Sequence, residues 1–262
     1  MSMKVTFLGV GSTLSRINAN SNILVECGGI KMCIDCGRSA FASAEQTGLS
    51  LKDITHVLIT HLHADKISGL EEIAFMTKFV FKKRVKLLST QTMLDRLWHC
   101  SLKGGLEYIE ESPGDLKAHV LNNYYDVIEV KSERWESIAD STLEFYLHPT
   151  NHIQGMESYG VEVKEGQGDQ KKQFFFSGGS KFDPELLKRN ARHSSHIFHD
   201  CQIADHGDQH NLQWHATYSQ LRELPSDLKK KIWLYHYEDS DLPNAQEDGF
   251  AGFAQHLQSF EF

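Results

Sequence analysis

Residues 60–66 read Thr-His-Leu-His-Ala-Asp-Lys and carry the sharpest signal in the chain. They follow an apolar run, residues 55–59, that is too brief for a helix and rich enough in β-branched residues for a buried strand. Side chains alternate along extended backbone, so His61, His63 and Asp65 project to the same side. Imidazole nitrogens and carboxylate oxygens are zinc ligands. The stretch therefore predicts a metal site at a strand end, although the same residues could simply cap the helix that follows.

The sequence after this stretch predicts a helix. Ser68 with Glu71 three residues later has the pattern of a capping box, which predicts that the helix begins at Ser68. Its predicted core stripe consists of Leu70, Ile73, Met76 and Val80.

The remaining pattern alternates strands with helices in both halves of the chain. Strands are predicted at residues 4–8, at 23–27 and 31–35 as a hairpin around Gly28-Gly29, and at 143–147, 159–163, 173–177, 195–199 and 231–235. Helices are predicted at residues 39–46, from Asp183 with Pro184 in its first turn, and at 218–224. Residues 164–172 are predicted to form a polar turn. We find no short repeat or linker, and we expect one α/β domain over residues 1–262 with two sheets under helical cover.

Composition excludes several classes of protein. The 262 residues include 27 Lys and Arg and 35 Asp and Glu, so the net charge is −8. This acidic charge argues against sequence-independent binding of long nucleic acid. No stretch approaches the roughly 20 consecutive apolar residues needed to span a membrane. The N-terminal apolar stretch within residues 1–11 is too short, and is followed too soon by polar residues, to be a secretory leader. Five cysteines, an odd number, do not indicate a disulfide framework. We therefore expect a cytoplasmic protein.

Histidine is abundant, with 15 in the chain. His152 and His236 each follow a predicted strand, and with His61 and His63 they supply four imidazoles from three segments, as in many catalytic zinc sites. Alone, each of the two would more often be a structural histidine. Six more histidines fall in residues 193–215: His193, His196, His199, His206, His210 and His215. Of these, His193, His196 and His199 straddle a predicted helix end and a predicted strand, so they need not converge.

The His-x-His-x-Asp pattern after a strand resembles the metallo-β-lactamase superfamily. Its other landmarks occur in family order over nearly the whole chain: Asp35, His152, residues 176–179 (Phe-Ser-Gly-Gly) and His236. The resemblance implies the four-layer αββα sandwich of the metallo-β-lactamase fold.

Within the superfamily the spacing is similar to the ribonuclease Z-like branch. Residues 198–200 (Phe-His-Asp), 215–217 (His-Ala-Thr) and 234–237 (Leu-Tyr-His-Tyr) most resemble phosphodiesterases of the anti-Pycsar type, which cleave cyclic mononucleotides. Ribonuclease Z normally carries a long basic arm that grips tRNA. The span from His199 to His236 is too short for such an arm, so full-length tRNA is not the expected substrate.

The resemblance implies two metal sites, and the chain departs from both. One ion would be held by His61, His63, His152 and a bridging aspartate, but Gly179 stands at the aspartate's place. The other would be held by Asp65, His236, the bridging aspartate and a histidine, whose place is taken by Lys66. We therefore expect one firmly bound ion, Zn²⁺ or alternatively Mn²⁺, and a second site with too few ligands.

Lys66 has three interpretations at this point. Its ammonium could pair with a substrate phosphate, it could pair with Asp65, or it could point to solvent at a site that has decayed. By the resemblance, Asp200 orients His215, and His215 contacts phosphate and protonates the leaving oxygen, with Asp65 also counted among the catalytic residues. Without the family, Asp200 would cap a turn and His215 would start a helix. Asp35 is expected to be structural, buried, and bonded to the metal-binding loop.

Three functional hypotheses follow. The first is a metal-dependent hydrolase of cyclic mononucleotides or similar phosphodiesters, active as a homodimer with a reduced metal complement. The second is a pseudoenzyme that binds a nucleotide or a partner without cutting it, with Lys66 supplying the missing positive charge. The third is a partner-dependent regulator that keeps only the scaffold.

Overall fold

Two seven-stranded sheets form the centre of the computed structural model, which describes residues 2–166, 172–203 and 213–262. The described strands are β1 (Lys4–Gly9), β2 (Asn22–Cys27), β3 (Ile30–Ile34), β4 (His56–Leu58), β5 (Val85–Ser89), β6 (Tyr108–Ser112), β7 (Asp115–Ala118), β8 (Tyr125–Glu129), β9 (Trp135–Ser137), β10 (Leu143–Pro149), β11 (Tyr159–Glu165), β12 (Lys172–Phe176), β13 (His196–Asp200), β14 (Ile232–Tyr235), β15 (Gly252–Phe253) and β16 (Ser259–Glu261). The predicted strands match these to within about two residues at each end.

Short helices connect the strands. They are α1 (Ala40–Gln46), α2 (Ala64–Ile67), α3 (Leu70–Phe75), α4 (Gln91–Leu97), α5 (Lys103–Leu106), α6 (Pro184–Ala191), α7 (Tyr218–Arg222) and α8 (Ser226–Lys229), with π-helical turns at Met76–Val80 and Trp98–Leu102 and 3-10 turns at Leu51–Asp53 and Leu121–Asn123. The helix predicted to start with Pro184 in its first turn is confirmed, because Asp183 caps α6 through the backbone N–H groups of Glu185 and Leu186. No helix in the described ranges is long and apolar enough to cross a membrane.

The two sheets have matching topologies. The first runs β16-β1-β2-β3-β4-β5-β8 and the second β15-β14-β13-β12-β11-β10-β9. In the second sheet β10 and β12 are both antiparallel to β11, and β12, β13 and β14 are parallel to one another. The strands β10, β12, β13 and β14 therefore end at the same edge, and the segments that follow them meet there. Strands β6 and β7 form a separate hairpin.

The apolar core lies between the sheets. Phe7 of β1 contacts Phe198 of β13 edge to face, with ring centroids 5.1 Å apart, and Phe176 stacks on Tyr235 at 4.7 Å. Side chains alternate along each strand, so the opposite face of the second sheet carries its own apolar residues. These pack against α6, α7 and α8 in a second cluster that includes Phe175, Ile197, Leu186, Leu221, Leu228 and Leu234. Helices thus cover the outer face of this sheet.

The predicted capping box at Ser68 is wrong. Ser68 has helical backbone angles and ends α2, and α3 begins after Gly69, whose amide donates to the carbonyl oxygen of Cys36 at 2.9 Å. A residue in the helical region cannot turn its hydroxyl back onto the first amides of the next helix. The predicted stripe also fails at its end, because the π-helical turn rotates Val80 outward, where it is 59% exposed.

The sequence analysis assigned no strands between residues 81 and 142, where the structure has β5 to β9. Of the polar turn predicted at residues 164–172, the first two residues end β11 and Lys172 begins β12, while residues 167–171 lie outside the described part of the chain.

Candidate functional site

Three histidines from two segments converge at the edge where β4 and β10 end. His61 and His63 follow β4, and His152 follows β10. Their ring centroids are 4.8 to 4.9 Å apart, and one ring nitrogen from each lies within 4.8 Å of the others. Among the described residues this is the one group of three or more His, Cys, Asp or Glu side chains close enough to hold a metal ion.

A hydrogen-bond chain fixes the ring of His61. The amide and the hydroxyl of Thr60 donate to the two carboxylate oxygens of Asp35, at 2.8 and 2.9 Å. Because the Thr60 hydroxyl already donates its hydrogen bond to Asp35, its oxygen accepts a hydrogen bond from His61 Nδ1 at 3.0 Å. The opposite nitrogen, His61 Nε2, is buried and has no hydrogen-bond partner in the described ranges. A buried polar atom without a partner is rare in proteins, and a metal ion would satisfy it.

His152 is oriented in the same way. Its Nδ1 donates to the carbonyl oxygen of Trp214 at 2.7 Å, which leaves Nε2 facing His63 Nδ1 at 3.2 Å. Burial lowers the pKa of His152 to about 4 and holds the pKa of His61 well below its usual range. Neutral imidazoles are the ligand form of histidine. The three rings therefore fit one ion, with their free nitrogens turned towards a common point.

Asp35 is buried directly after β3 and is hydrogen-bonded to Thr60, at the start of the loop that carries His61 and His63. Its backbone has φ +65°, and its carboxylate accepts both Thr60 hydrogen bonds. Burial raises the pKa of Asp35 to about 7, an effect that the nearby Lys66 ammonium and the Thr60 hydrogen bonds partly offset. The prediction that Asp35 is structural and bonded to this loop is confirmed.

Lys66 does not point to solvent, so that interpretation is wrong. Its side chain is fully buried, with Nζ 3.0 Å from Asp65 Oδ2 and donating to the carbonyl oxygen of Ser21 at 3.2 Å. The other oxygen of Asp65 accepts from the Thr13 hydroxyl at 2.9 Å. Burial works against both charges, but their mutual attraction lowers the pKa of Asp65 and raises the pKa of Lys66. Lys66 and Asp65 thus form a buried ion pair.

His236, the other predicted ligand of a second ion, lies on the Lys66 side of the site. It is buried, and its Nδ1 is 3.1 Å from the Ser21 hydroxyl. Burial and the nearby ammonium of Lys66 hold the pKa of His236 well below its usual range. Asp65 and His236 are therefore not among the three histidines that converge, and both lie near the buried ammonium of Lys66.

Gly179 lies at the point where the rings of His61 and His152 approach the backbone. A Cβ atom added to it would be 2.8 Å from His61 Cε1, 3.1 Å from His61 Nε2 and 3.2 Å from His152 Nε2. No side chain can be placed there without moving the rings. The imidazoles of His61 and His152 therefore occupy the space that the side chain of a bridging aspartate at position 179 would need.

Gly179→Ala is expected to weaken zinc binding by at least tenfold, because the added methyl group pushes His61 and His152 off their common point. Zinc titration against a chromophoric chelator measures the change. Gly104→Ala is the matched control, since a Cβ on Gly104 meets nothing within 4 Å. Unchanged zinc affinity in Gly179→Ala would contradict this geometry.

Asp200 and His215 form a second pair beside the histidines. Asp200 Oδ2 lies 2.6 Å from His215 Nδ1, while Oδ1 accepts from the Ser177 hydroxyl at 2.7 Å. Burial disfavours the ionised form of Asp200, but the hydrogen bond from His215 and the nearby rings of His199 and His236 together outweigh it and lower the pKa of that carboxyl. The ring of His215 is 4.8 Å from that of His152 and partly exposed. The structure thus brings this pair to the same edge as the three convergent histidines.

The alternative in which His215 merely starts a helix is wrong. The residue that caps α7 is Thr217, whose hydroxyl oxygen accepts from the backbone N–H of Gln220. Of the other clustered histidines, His193 is exposed, and the ring of His196 packs near Phe198 and Phe260. As expected, they do not converge on the site, whereas His206 and His210 lie outside the described residues.

Sequence reasoning missed two residues that build the site. Thr60 links Asp35 to His61, and its position directly before the first histidine was the available signal. Ser21 contacts both Lys66 and His236 from a loop in the first half of the chain. Nothing in the local sequence around Ser21 indicates this contact.

The two facing sheets, their helical cover and the histidine-lined edge define a protein of the metallo-β-lactamase fold. The metallo-β-lactamase fold protein YhfI from Bacillus subtilis has a similar structure, with a TM-score of 0.75 over 100% of both chains at 13% sequence identity. The predicted αββα fold is confirmed.

The chain belongs to the family described as Anti-Pycsar protein Apyc1, whose model matches residues 3–260. It is 34% identical over 239 residues to the Anti-Pycsar protein Apyc1 of Paenibacillus harenae, covering 91% of each chain. It is 35% identical over 245 residues to the protein of the same name from Bacillus phage 010DV004, covering 91% of this chain and 90% of the relative. The resemblance stated from the sequence is confirmed.

Proposed function

We propose that this protein is a metal-dependent phosphodiester hydrolase that opens cyclic mononucleotides with a single Zn²⁺ ion, for which Mn²⁺ is the alternative. One observation carries the proposal: three neutral imidazoles turn their free nitrogens to one point, within 4.8 Å of one another. Membership of the Anti-Pycsar Apyc1 family supports the choice of a cyclic mononucleotide as substrate.

In this proposal His61, His63 and His152 hold the ion. Three imidazoles with one open position form a catalytic zinc arrangement, which supplies a Lewis acid and an activated water nucleophile near neutral pH. Thr60 and the Trp214 carbonyl keep two of the rings in the tautomer that turns a lone pair inward. Thr60 and the Trp214 carbonyl therefore act by orienting the histidine rings.

The Asp200–His215 pair handles the leaving group. Opening a cyclic phosphodiester releases a ribose oxygen that needs a proton as its bond to phosphorus breaks. Asp200 holds His215 through Nδ1, so Nε2 is the nitrogen left to act on the phosphate; in the imidazolium form it carries a second proton, which passes to the leaving ribose oxygen and leaves a neutral ring. The same donor can hydrogen-bond a phosphate oxygen before the bond breaks.

Asp65, Lys66 and His236 have smaller parts in this proposal. Asp65 was expected to be a ligand and a catalytic residue, but its oxygens contact Thr13 and Lys66. A contact between Lys66 and a substrate phosphate would require Nζ to leave Asp65 and become exposed. Metal ligation by Asp65 and His236, and phosphate binding by Lys66, stay predictions.

A second candidate function is supported by that same ion pair. Because an ammonium lies where a second ion would help to stabilise the reaction, the chain could bind a nucleotide without cutting it. Calorimetry and chromatography on one set of samples separate the two functions. We expect the zinc-loaded protein to bind purine or pyrimidine cyclic mononucleotides and to convert them to linear mononucleotides, and the same protein treated with chelator to leave them intact. Binding with no product from any of them would favour the pseudoenzyme.

The expected partners and location complete the proposal. We propose a cytoplasmic homodimer that acts on a small nucleotide and does not bind long nucleic acid or a membrane. All five cysteines are unpaired, as in a reducing compartment. The exposed side chains of Tyr108 and Leu116, 63% and 66% exposed, give the β6–β7 hairpin an apolar surface that a second copy could cover. Sedimentation at several protein concentrations tests the dimer.

A further inference from the structure

Buried negative charge surrounds the one buried cation of the described chain. Asp35, Asp65 and Asp200 are each at most 3% exposed, and Lys66, with 0% exposure, is the one buried lysine or arginine in the described ranges. Buried carboxylates need positive charge nearby, since water no longer stabilises them. One ammonium and one divalent ion together would balance the three carboxylates when all of them, including Asp35 with its raised pKa of about 7, are ionised and the histidines are neutral.

The Lys66 side chain is held from two directions. Its Nζ is 3.0 Å from Asp65 Oδ2 and donates to the Ser21 carbonyl oxygen at 3.2 Å. Ser21 lies in the loop before β2, and Asp65 lies in the first turn of α2. The ammonium thus joins two segments that are distant in sequence, as a bound ion does. It also acts at longer range, since Asp35 and Asp200 join Asp65 in favouring its charged form.

The donors on this side are too few for a metal ion while Lys66 is present. Asp65 and His236 are the available ligand types, and Gly179 contributes no side chain. A divalent ion between Asp65 and His236 would also meet the repulsion of the ammonium at short range.

We propose that Lys66 is a permanent internal cation that takes the structural and electrostatic place of a second metal ion, so that the Asp65 side of the pocket is preorganised without metal. This inference rests on the proposed single-ion site for its electrostatic balance. Its consequences concern folding and metal stoichiometry, so they can be measured whether or not a substrate is found. Lys66 acts here as a positioning residue and does not touch the reacting atoms.

Two substitutions test the proposal in the full-length protein. Lys66→Met keeps the length of the side chain and removes its charge, and Lys66→His restores a third donor beside Asp65 and His236. Lys188→Met is the matched control, because Lys188 pairs with Glu185 on the exposed face of α6, with side-chain exposures of 50% and 80%. Each protein is stripped with chelator, and its thermal unfolding and zinc uptake are then measured with zinc alone.

We expect metal-free Lys66→Met to unfold roughly 10 °C below wild type, because it leaves Asp65 buried and unpaired, and to keep one zinc site. Lys66→His is expected to lose similar stability without metal, to take up two ions per chain, and to regain wild-type stability with zinc. Lys188→Met should match wild type in both measurements.

Two outcomes would overturn the inference: two firmly bound ions in the wild type, or metal-free Lys66→Met that is as stable as wild type. If Lys66→His neither binds a second ion nor is rescued by zinc, the ammonium does not stand in an ion's place, and the inference is also overturned. If the expected stability and stoichiometry are found but zinc-loaded wild type opens no cyclic nucleotide, the inference stands and the proposed hydrolase function alone fails.

Discussion

His152→Ala is expected to remove zinc from the protein and to lower phosphodiester hydrolysis by roughly a thousandfold or more. His152 is the ligand that the second sheet contributes, and without it two imidazoles from one short segment remain. Two neutral ligands do not retain a first-row ion against dialysis. Metal analysis of the dialysed protein, together with turnover of the best cyclic nucleotide, measures both effects.

His193→Ala is the control for that substitution, because His193 is exposed at the end of α6 and does not face the site. It should keep wild-type zinc content and wild-type turnover. Retention of a full equivalent of zinc by His152→Ala would show that the ion is held elsewhere, and the three-histidine site would have to be abandoned.

His215→Ala should lower kcat on cyclic nucleotides by about 10²- to 10⁴-fold while zinc content stays at the wild-type level. The loss arises because the leaving ribose oxygen no longer receives a proton from the residue that Asp200 holds at 2.6 Å. Zinc is retained because His215 is not among the three convergent ligands. Steady-state kinetics and metal analysis on the same preparation measure the two quantities.

A comparison of two substrates shows whether His215 donates a proton or only binds phosphate. A nitrophenyl phosphodiester releases a stable phenolate that needs no proton, so His215→Ala should lose much less activity on it than on a cyclic nucleotide. An equal loss on both substrates would place His215 in phosphate binding rather than in proton donation. A simultaneous loss of zinc would show that the substitution disturbed the metal site itself.

The sequence was enough to predict the fold, through the family resemblance, and to single out the three histidines that converge. The alternation of His61 and His63 after an apolar strand depends on backbone geometry alone, and the other landmarks follow from resemblance. The Asp200–His215 contact needed the family, because the two residues are separated by a segment without a periodic signal. The false helix start at Ser68 shows the limit of such patterns. Whether a serine caps a helix depends on its own backbone angles, and those of Ser68 are helical because it ends α2.

The fate of Lys66 depends on the tertiary structure. A lysine next to an aspartate in sequence is usually solvated, and three interpretations were open until its burial was known. Its contact with Ser21 joins residues 45 positions apart, and no local pattern encodes it. The tight approach of the imidazoles to Gly179 has the same origin. Residues that replace a ligand are thus recognisable from sequence, whereas what they do in its place is set by packing.

The central claim is that His61, His63 and His152, which follow β4 and β10, hold one ion and that no second ion is bound. Native mass spectrometry of the full-length protein, stripped with chelator and reloaded with a slight excess of zinc, counts the ions on each chain directly. The account predicts one zinc ion per chain that survives buffer exchange and is lost in His152→Ala. Two retained ions per chain, or none, would contradict it.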